Sequence, residues 1–175
     1  MSGPRRNVEL KCRCRDLEAV RRRAEAAGAR DAGVLVQRDT FYGAGRARLK
    51  LRVIEGARAE LISYERPDEE GPRTSRYRIA PVERPDELGA VLAHALGVTG
   101  EVRKRRRLRL LRNTRIHLDE VEGLGHFVEL ETVLGDGSEA EGRRELDEIA
   151  AALGLEDEER VAVAYVELLR ATTSS

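Results

Sequence analysis

Hydrophobic and polar residues alternate along much of the chain, and this alternation predicts about eight β-strands. The pattern is clearest over residues 46–54, where one face carries Arg46, Arg48, Lys50 and Arg52 and the other carries Ala47, Leu49, Leu51 and Val53. Residues 114–134 form two further alternating runs that flank the Gly-rich turn Glu122-Gly123-Leu124-Gly125. The remaining strands are predicted at 6–14, 34–42, 59–66, 74–82 and 101–112.

Four segments instead repeat their apolar residues at helical spacing. Asp16 is placed to cap the first of these helices, Pro85 opens the second, and Ser138 with Glu141 forms a capping box for the third. The predicted helices cover residues 17–27, 85–96, 139–153 and 157–170.

Each strand has one apolar and one charged face, so the helices have a single sheet face on which to bury their apolar stripes. Eight antiparallel strands are enough to close a barrel, with helices outside and the charged faces lining a lumen. An open sheet with a solvated charged face would satisfy the same periodicity. We expect an α+β fold built on an eight-stranded antiparallel closed barrel, covered by about four amphipathic helices.

The composition narrows the class of protein. The 175 residues suit one domain over 1–175, with a core at about 6–170, and 37% of them are charged although the net charge is zero. Aromatic residues make up 3% and Trp is absent, which disfavours a stacking platform for single-stranded nucleic acid. With no membrane-length apolar run and no signal-peptide pattern, we expect a cytoplasmic protein without a membrane partner. A homodimer is expected on general frequency alone.

The two cysteines lie two residues apart on the first predicted strand. Cys12 and Cys14 therefore point the same way, which disfavours a disulfide, and no further cysteine completes a zinc site. They are interpreted as small buried apolar residues rather than ligands.

Converging charged faces would place many cations and a few acids in one lumen. The cations are Lys11, Lys50, Arg52, Arg66, Arg76, Arg78, Arg115 and part of the run 103–107, and the acids are Glu9, Asp119, Glu129 and Glu131. Buried like charges need a compensating anion, and guanidinium and ammonium groups match phosphate oxygens. Clustered carboxylates suit Mg²⁺ or Mn²⁺. The pattern therefore indicates a site for a small-molecule polyphosphate with a divalent cation.

Five ordered motifs resemble the CYTH superfamily, also called triphosphate tunnel metalloenzymes. They are Asn7-Val8-Glu9-Leu10-Lys11, similar to the family's ExExK, then Arg48-Leu49-Lys50-Leu51-Arg52, the basic strand at Lys104 and Arg106, Thr114-Arg115-Ile116-His117-Leu118-Asp119, and residues 123–131. The resemblance covers nearly the whole chain. It implies an eight-stranded tunnel that binds triphosphates with divalent metal.

The resemblance also implies roles for individual residues. Glu9, Glu129 and Glu131 would hold the metal, and Glu9, Lys11 and Asp119 are the candidate catalytic residues. The candidate phosphate-binding residues are Lys11, Lys50, Arg52, Arg66, Arg76, Lys104, Arg106 and Arg115. Two departures bear on the number of metal ions: Asn7 replaces the first glutamate of ExExK, and the strand that ends at Arg66 lacks a lysine found in many members.

Several candidates have simpler interpretations. Glu129 and Glu131 could lie on a solvated surface. Asp119 could have a purely structural role, in an ion pair with Arg115 or Arg106. His117 is interpreted as a hydrogen-bonded structural residue with proton transfer as the alternative, and His94 and His126 are interpreted as structural. The run 103–107 resembles a nucleic-acid patch, but within a strand of a neutral protein only one face could meet such a partner, and nucleic acid is not the expected partner.

Three functions fit these expectations. The first is metal-dependent hydrolysis of a triphosphate, which could be inorganic triphosphate, thiamine triphosphate or a nucleoside triphosphate. The second is a class IV adenylyl cyclase, whose members the chain also resembles around residues 59–68. The third is a non-catalytic protein that binds polyphosphate or an organic phosphate. The sequence favours hydrolysis, which asks less of the site than positioning a ribose hydroxyl.

Overall fold

Eight antiparallel strands close into a barrel in the computed structural model, which describes residues 5–45, 47–68 and 71–173. Around the barrel the strands follow the order β1-β5-β4-β3-β2-β6-β7-β8. Their bounds are β1 Arg5–Arg13, β2 Arg30–Tyr42, β3 Arg48–Ile54, β4 Arg58–Glu65, β5 Arg73–Val82, β6 Val98–Leu111, β7 Thr114–Val121 and β8 Gly125–Val133. Because every strand pairs on both sides, the sheet leaves no open edge, and the predicted closed barrel is confirmed.

The apolar faces of the strands point outward and form the main core beneath two helices. Val8, Leu10, Ile116, Leu118 and Leu130 are each at most 1% exposed. Cys12 and Cys14 belong to the same core and are free thiols, as predicted. Burial of this face is what forces the charged residues of the same strands to point into the barrel.

Four helices cover the outside of the barrel: α1 Leu17–Ala26, α2 Pro85–Leu96, α3 Glu139–Ala152 and α4 Tyr165–Thr173. The predicted N-caps are present, since Asp16 accepts a hydrogen bond from the Ala19 amide at 2.9 Å and Ser138 with Glu141 forms the capping box. Within the described ranges, no helix combines the length and apolarity needed to cross a membrane.

The last helix was predicted to begin near residue 157, and this prediction is wrong. Residues 159–161 run extended beside β1: the Arg13 amide donates to the Glu159 carbonyl at 2.9 Å and the Val161 amide to the Lys11 carbonyl at 3.0 Å. These strand-like hydrogen bonds override the helical spacing of the segment. Helix α4 begins only at Tyr165, after the chain has crossed one end of the barrel.

The predicted lumen positions of Arg76 and Arg78 are also wrong. Tyr77 is buried and lines the lumen, so its neighbours Arg76 and Arg78 point outward and are exposed. The prediction grouped β5 by its arginines, whereas burial of the tyrosine decides which face is internal. Arg46, which was predicted to share a face with Lys50 and Arg52, lies outside the described residues.

Alternation in the basic run of β6 is resolved by the structure. Lys104 and Arg106 are 7% and 4% exposed and point inward. Arg103 and Arg105 lie on the outer face, with side chains that are 56% and 47% exposed. Only two members of the run 103–107 therefore reach the lumen.

Candidate functional site

The barrel encloses a cavity of about 140 Å³ that is lined by charges of both signs. Nearly all the predicted phosphate-binding and metal-binding residues line it, namely Glu9, Lys11, Lys50, Arg52, Arg66, Lys104, Arg106, Arg115, Glu129 and Glu131. Arg76 and Asp119 do not. The cavity thus brings together side chains from all eight strands, and from Arg66, which follows β4.

Glu129 and Glu131 project side by side from β8 into this cavity. Glu129 accepts a hydrogen bond from Arg106 at 2.9 Å, and Glu131 lies 3.6 Å from the guanidinium of Arg115. Burial alone would raise the pKa of Glu129, but His117 and the cations Lys11 and Arg106 outweigh burial and hold it well below its usual value. The Glu129 carboxylate is therefore ionised at neutral pH.

Glu9 is the third predicted metal ligand, and cations surround it. Its carboxylate lies 3.1 Å from Arg73 and 3.3 Å from Arg66. Burial, followed by repulsion from Glu129, raises the pKa of Glu9 despite these two arginines. A raised pKa makes the Glu9 carboxylate a better proton acceptor than an ordinary glutamate.

Lys11 lies at the end of the cavity where the chain crosses the barrel. Its ammonium donates to the Val163 carbonyl at 3.1 Å, while Arg66 donates to the Ala162 carbonyl at 2.9 Å and Arg73 to the Val161 carbonyl at 3.2 Å. The crossing segment, residues 161–165, thus anchors three inward cations by its backbone.

Apolar side chains seal the same end. Phe127 packs edge-on against Tyr165 with ring centroids 4.9 Å apart, and Val102, Val121 and Val161 complete the cluster. The charged cavity therefore has an apolar floor, which lowers the effective dielectric around its charges.

A second ionic cluster was missed by sequence reasoning. Asp39 of β2 is 2% exposed and accepts hydrogen bonds from Lys50 at 2.9 Å and from Arg52 at 2.7 Å, with Lys104 at 3.9 Å. Burial would raise the pKa of Asp39, but Arg52, Lys50 and Lys104 hold it well below its usual value. This single acid therefore holds three cations together.

Arg106 is held by Asp119 from beneath. Asp119 is fully buried and accepts two hydrogen bonds from Arg106, at 2.7 and 2.6 Å, and one from the Tyr165 hydroxyl at 3.0 Å. Because Asp119 does not line the cavity, it is placed to orient Arg106 rather than to touch a substrate.

The two buried lysines, Lys11 and Lys104, have lowered pKa values. Burial is the largest cause in both, and it lowers the pKa of Lys11 to about 8 and that of Lys104 to about 7, with Arg66 and Arg106 respectively adding to the effect. Each lysine can therefore exchange a proton near neutral pH, and a bound anion would raise both pKa values.

The donor set fits a divalent cation. One ligand atom from each of His117, Glu129 and Glu131 lies within 4.8 Å of the others. The two carboxylates suit Mg²⁺ or Mn²⁺, and an imidazole nitrogen beside them suits a first-row transition ion such as Mn²⁺. Glu129 and Glu131 lie near enough to raise the pKa of Glu9. The oxygens of Glu9 themselves lie against Arg66 and Arg73.

Sequence reasoning missed Asp39 as a cavity residue and Arg73 as a partner of Glu9, and it assigned His117 no ligand role. Asp39 lay in a predicted strand of less certain register, and Arg73 fell between a predicted loop and the next predicted strand. His117 was correctly assigned to the charged face, and only its position opposite Glu129 reveals its proximity to both carboxylates.

Comparisons with known proteins agree with this geometry. The family model for the CYTH domain matches residues 5–165. The fold is similar to the PH1012 protein from Pyrococcus horikoshii OT3, with 26% identity, a TM-score of 0.83 and coverage of 93% of this chain and 99% of that one. A comparison with curated proteins gave no significant match.

Two more distant structures share the fold. A putative adenylate cyclase from Vibrio parahaemolyticus is 22% identical with a TM-score of 0.75, covering 97% of this chain and 99% of that one. The putative adenylyl cyclase HpAC1 from Hippeastrum, whose description reports a dominant triphosphatase activity, is 16% identical with a TM-score of 0.67, covering 95% and 96%.

Proposed function

The chain belongs to the CYTH domain family, and from that premise we propose that it is a metal-dependent hydrolase of triphosphates. One observation carries the proposal: an enclosed cavity places the paired acids Glu129 and Glu131 in the same space as seven lysines and arginines, against four acidic residues in all. Phosphate oxygens pair with the cations, and the carboxylates serve a divalent ion. Without an anion, such a concentration of buried positive charge would be poorly compensated.

The substrate enters with its terminal phosphate foremost, because residues 161–165 close the other end. Lys50 and Arg52 of β3 bind phosphate oxygens together with Arg106 of β6 and Arg115 of β7. Guanidinium groups held by Asp39 and Asp119 keep fixed orientations, so little ordering is lost when the phosphate binds.

Hydrolysis then needs a proton acceptor and a proton donor. Glu9, with its raised pKa, takes the proton from the attacking water as the new bond to the terminal phosphorus forms. Lys11, with a pKa of about 8, gives a proton to the bridging oxygen as the phosphorus–oxygen bond breaks. Glu129 and Glu131 would hold a divalent cation, which when bound would supply charge neutralisation at the phosphoryl oxygens.

Cyclisation of ATP is the second candidate, because two groups in the cavity suit a nucleoside. Asn7 Oδ1 and the Tyr77 hydroxyl are buried and make no hydrogen bond within the described part of the chain. A ribose or base would satisfy both. The ribose 3′ hydroxyl would attack the α-phosphorus, and pyrophosphate would leave.

The test is to incubate the purified protein with inorganic triphosphate or with ATP, plus Mg²⁺ or Mn²⁺, and to identify products by ³¹P NMR. Orthophosphate together with the shortened polyphosphate or nucleotide supports hydrolysis. Cyclic AMP with pyrophosphate overturns it in favour of the cyclase. Tight binding without turnover would show a phosphate-binding protein instead. If the protein neither binds nor turns over these compounds, both enzymatic proposals are refuted.

A further inference from the structure

His117 stands directly opposite Glu129 across the β7–β8 ladder, and Glu131 is the next inward residue of β8. The imidazole Nδ1 lies 3.5 Å from a Glu129 oxygen and Nε2 lies 3.9 Å from a Glu131 oxygen. The His117 side chain is 4% exposed. One imidazole is thus buried between two carboxylates.

The hydrogen bonding of His117 is incomplete. Within the described ranges, Nδ1 is buried without a hydrogen-bond partner. A buried polar atom without a partner is costly, by about 1–3 kcal/mol. The Glu129 oxygen lies 3.5 Å from Nδ1, at the limit of hydrogen-bonding distance, and an ion bound between the two atoms would satisfy this nitrogen.

The spacing suits a metal ion better than a hydrogen bond. Two atoms bound to one ion at about 2.1 Å lie about 3.0–4.2 Å apart, depending on the angle between them. The separation of 3.5 Å between His117 Nδ1 and the Glu129 oxygen falls inside this range, and one ligand atom from each of the three residues lies within 4.8 Å of the others. A small closing movement would bring all three side chains onto one ion.

We propose that His117 is a protein ligand of the divalent cation, together with Glu129 and Glu131, and that it makes the site prefer Mn²⁺ over Mg²⁺. Mg²⁺ takes oxygen donors almost exclusively and keeps its water, whereas imidazole nitrogen is a good ligand for first-row transition ions. The inference rests on the proposed function only in assigning the cation to this carboxylate pair.

The direct test is pulsed electron paramagnetic resonance of Mn²⁺ added to the protein without substrate. The wild type is expected to show a ¹⁴N coupling from a bound imidazole. His117→Gln is expected to lose it, and His126→Gln is the matched control because that histidine is exposed on the same hairpin. A wild type that binds Mn²⁺ without nitrogen coupling, or that binds no Mn²⁺, overturns the inference.

Calorimetry sharpens the selectivity. His117→Gln is expected to weaken Mn²⁺ binding roughly tenfold or more, as loss of a ligand should, and to change Mg²⁺ affinity by less than about twofold. Equal weakening of both ions would reduce His117 to a structural role. Thermal melts establish that the variant folds, and the wild-type spectrum decides the question even if it does not.

These outcomes separate the inference from the proposed function. Nitrogen coupling in a protein that releases no phosphate leaves His117 as a ligand and overturns the hydrolase. Phosphate release by a protein whose Mn²⁺ shows no nitrogen coupling overturns the ligand assignment and leaves the hydrolase intact.

Discussion

The inner and outer faces of the same strands carry similar charged side chains, but these side chains differ in exposure and in how they are paired. On β6, the side chain of inward Arg106 is 5% exposed and donates two short hydrogen bonds to Asp119. The side chain of outward Arg105 is 47% exposed and lies 3.4 Å from Glu120. Inside, each charge is desolvated and depends on its partners; outside, water screens it. Side-chain type therefore indicates nothing about function here until the face is known.

The largest expected effect of this difference is on turnover. Glu129→Gln and Glu131→Gln each remove a ligand charge from the cavity and should lower the rate of triphosphate hydrolysis on the order of 10²–10³-fold. Glu120→Gln on the outer face of β7 is the matched control and should leave the rate unchanged. Rates are measured by phosphate release, and thermal melts show whether each variant folds. Full activity in either inner variant would end the metal assignment.

Stability should separate the faces next. Arg106→Met leaves Asp119 buried without its main partner, and it should cost about 3–5 kcal/mol in the free energy of unfolding. Arg105→Met should change that free energy by no more than about 0.5 kcal/mol. Urea unfolding followed by circular dichroism measures both. Equal effects would mean that the inner ion pair contributes no more than a surface pair.

A smaller effect is expected at the floor of the cavity. Tyr165→Phe removes the hydroxyl that donates to Asp119, a buried hydrogen bond to a charged group, and should cost about 1.5–3 kcal/mol. Tyr42→Phe is a control on the outer side of the barrel, near α2. Chemical denaturation compares the two variants, and a neutral Tyr165→Phe would show that Arg106 alone satisfies Asp119.

The weakest signal is a proton taken up on binding. The pKa of Lys104 is lowered to about 7 and that of Lys11 to about 8, so both lysines are partly neutral between pH 7 and 9. A bound triphosphate favours their charged forms and raises both pKa values, so binding takes up protons there and affinity falls as pH rises. Calorimetry in buffers of different ionisation enthalpy measures the uptake. Proton release would contradict the assignment.

The same lysines affect stability in the opposite direction. Their folded pKa values lie below the unfolded value of about 10.4, so between pH 7 and 10 the unfolded chain binds more protons. Without ligand, these two groups therefore make the protein more stable as pH rises through that window.

Sequence patterns predicted two-faced strands covered by helices because two independent periodicities agree on them, and the resemblance to the CYTH superfamily then implied the closed barrel. The apolar face that carries Val8, Leu10, Ile116 and Leu118 needs helices to bury it. Strand alternation then places the charged residues on the opposite, inward face. Glu129 and Glu131 could be predicted as neighbours because they share one face of one strand.

What failed depended on contacts between distant segments. The strand-like pairing of residues 159–161 with β1 is invisible to a helical count within the segment. Arg76 was assigned to the lumen by its charge, whereas the burial of Tyr77 decides which face of β5 is internal. The role of Asp39 becomes visible only from its ion pairs with Lys50 and Arg52 on the next strand.

The most direct test of the central claim is the binding of inorganic triphosphate to paired variants of the two faces. Calorimetry without divalent metal isolates the cations from the carboxylates. Lys50→Met with Arg52→Met should weaken binding at least a hundredfold, whereas Arg103→Met with Arg105→Met should leave it within about twofold. Loss of affinity only in the outer pair would contradict the account and place the phosphate site on the surface of β6.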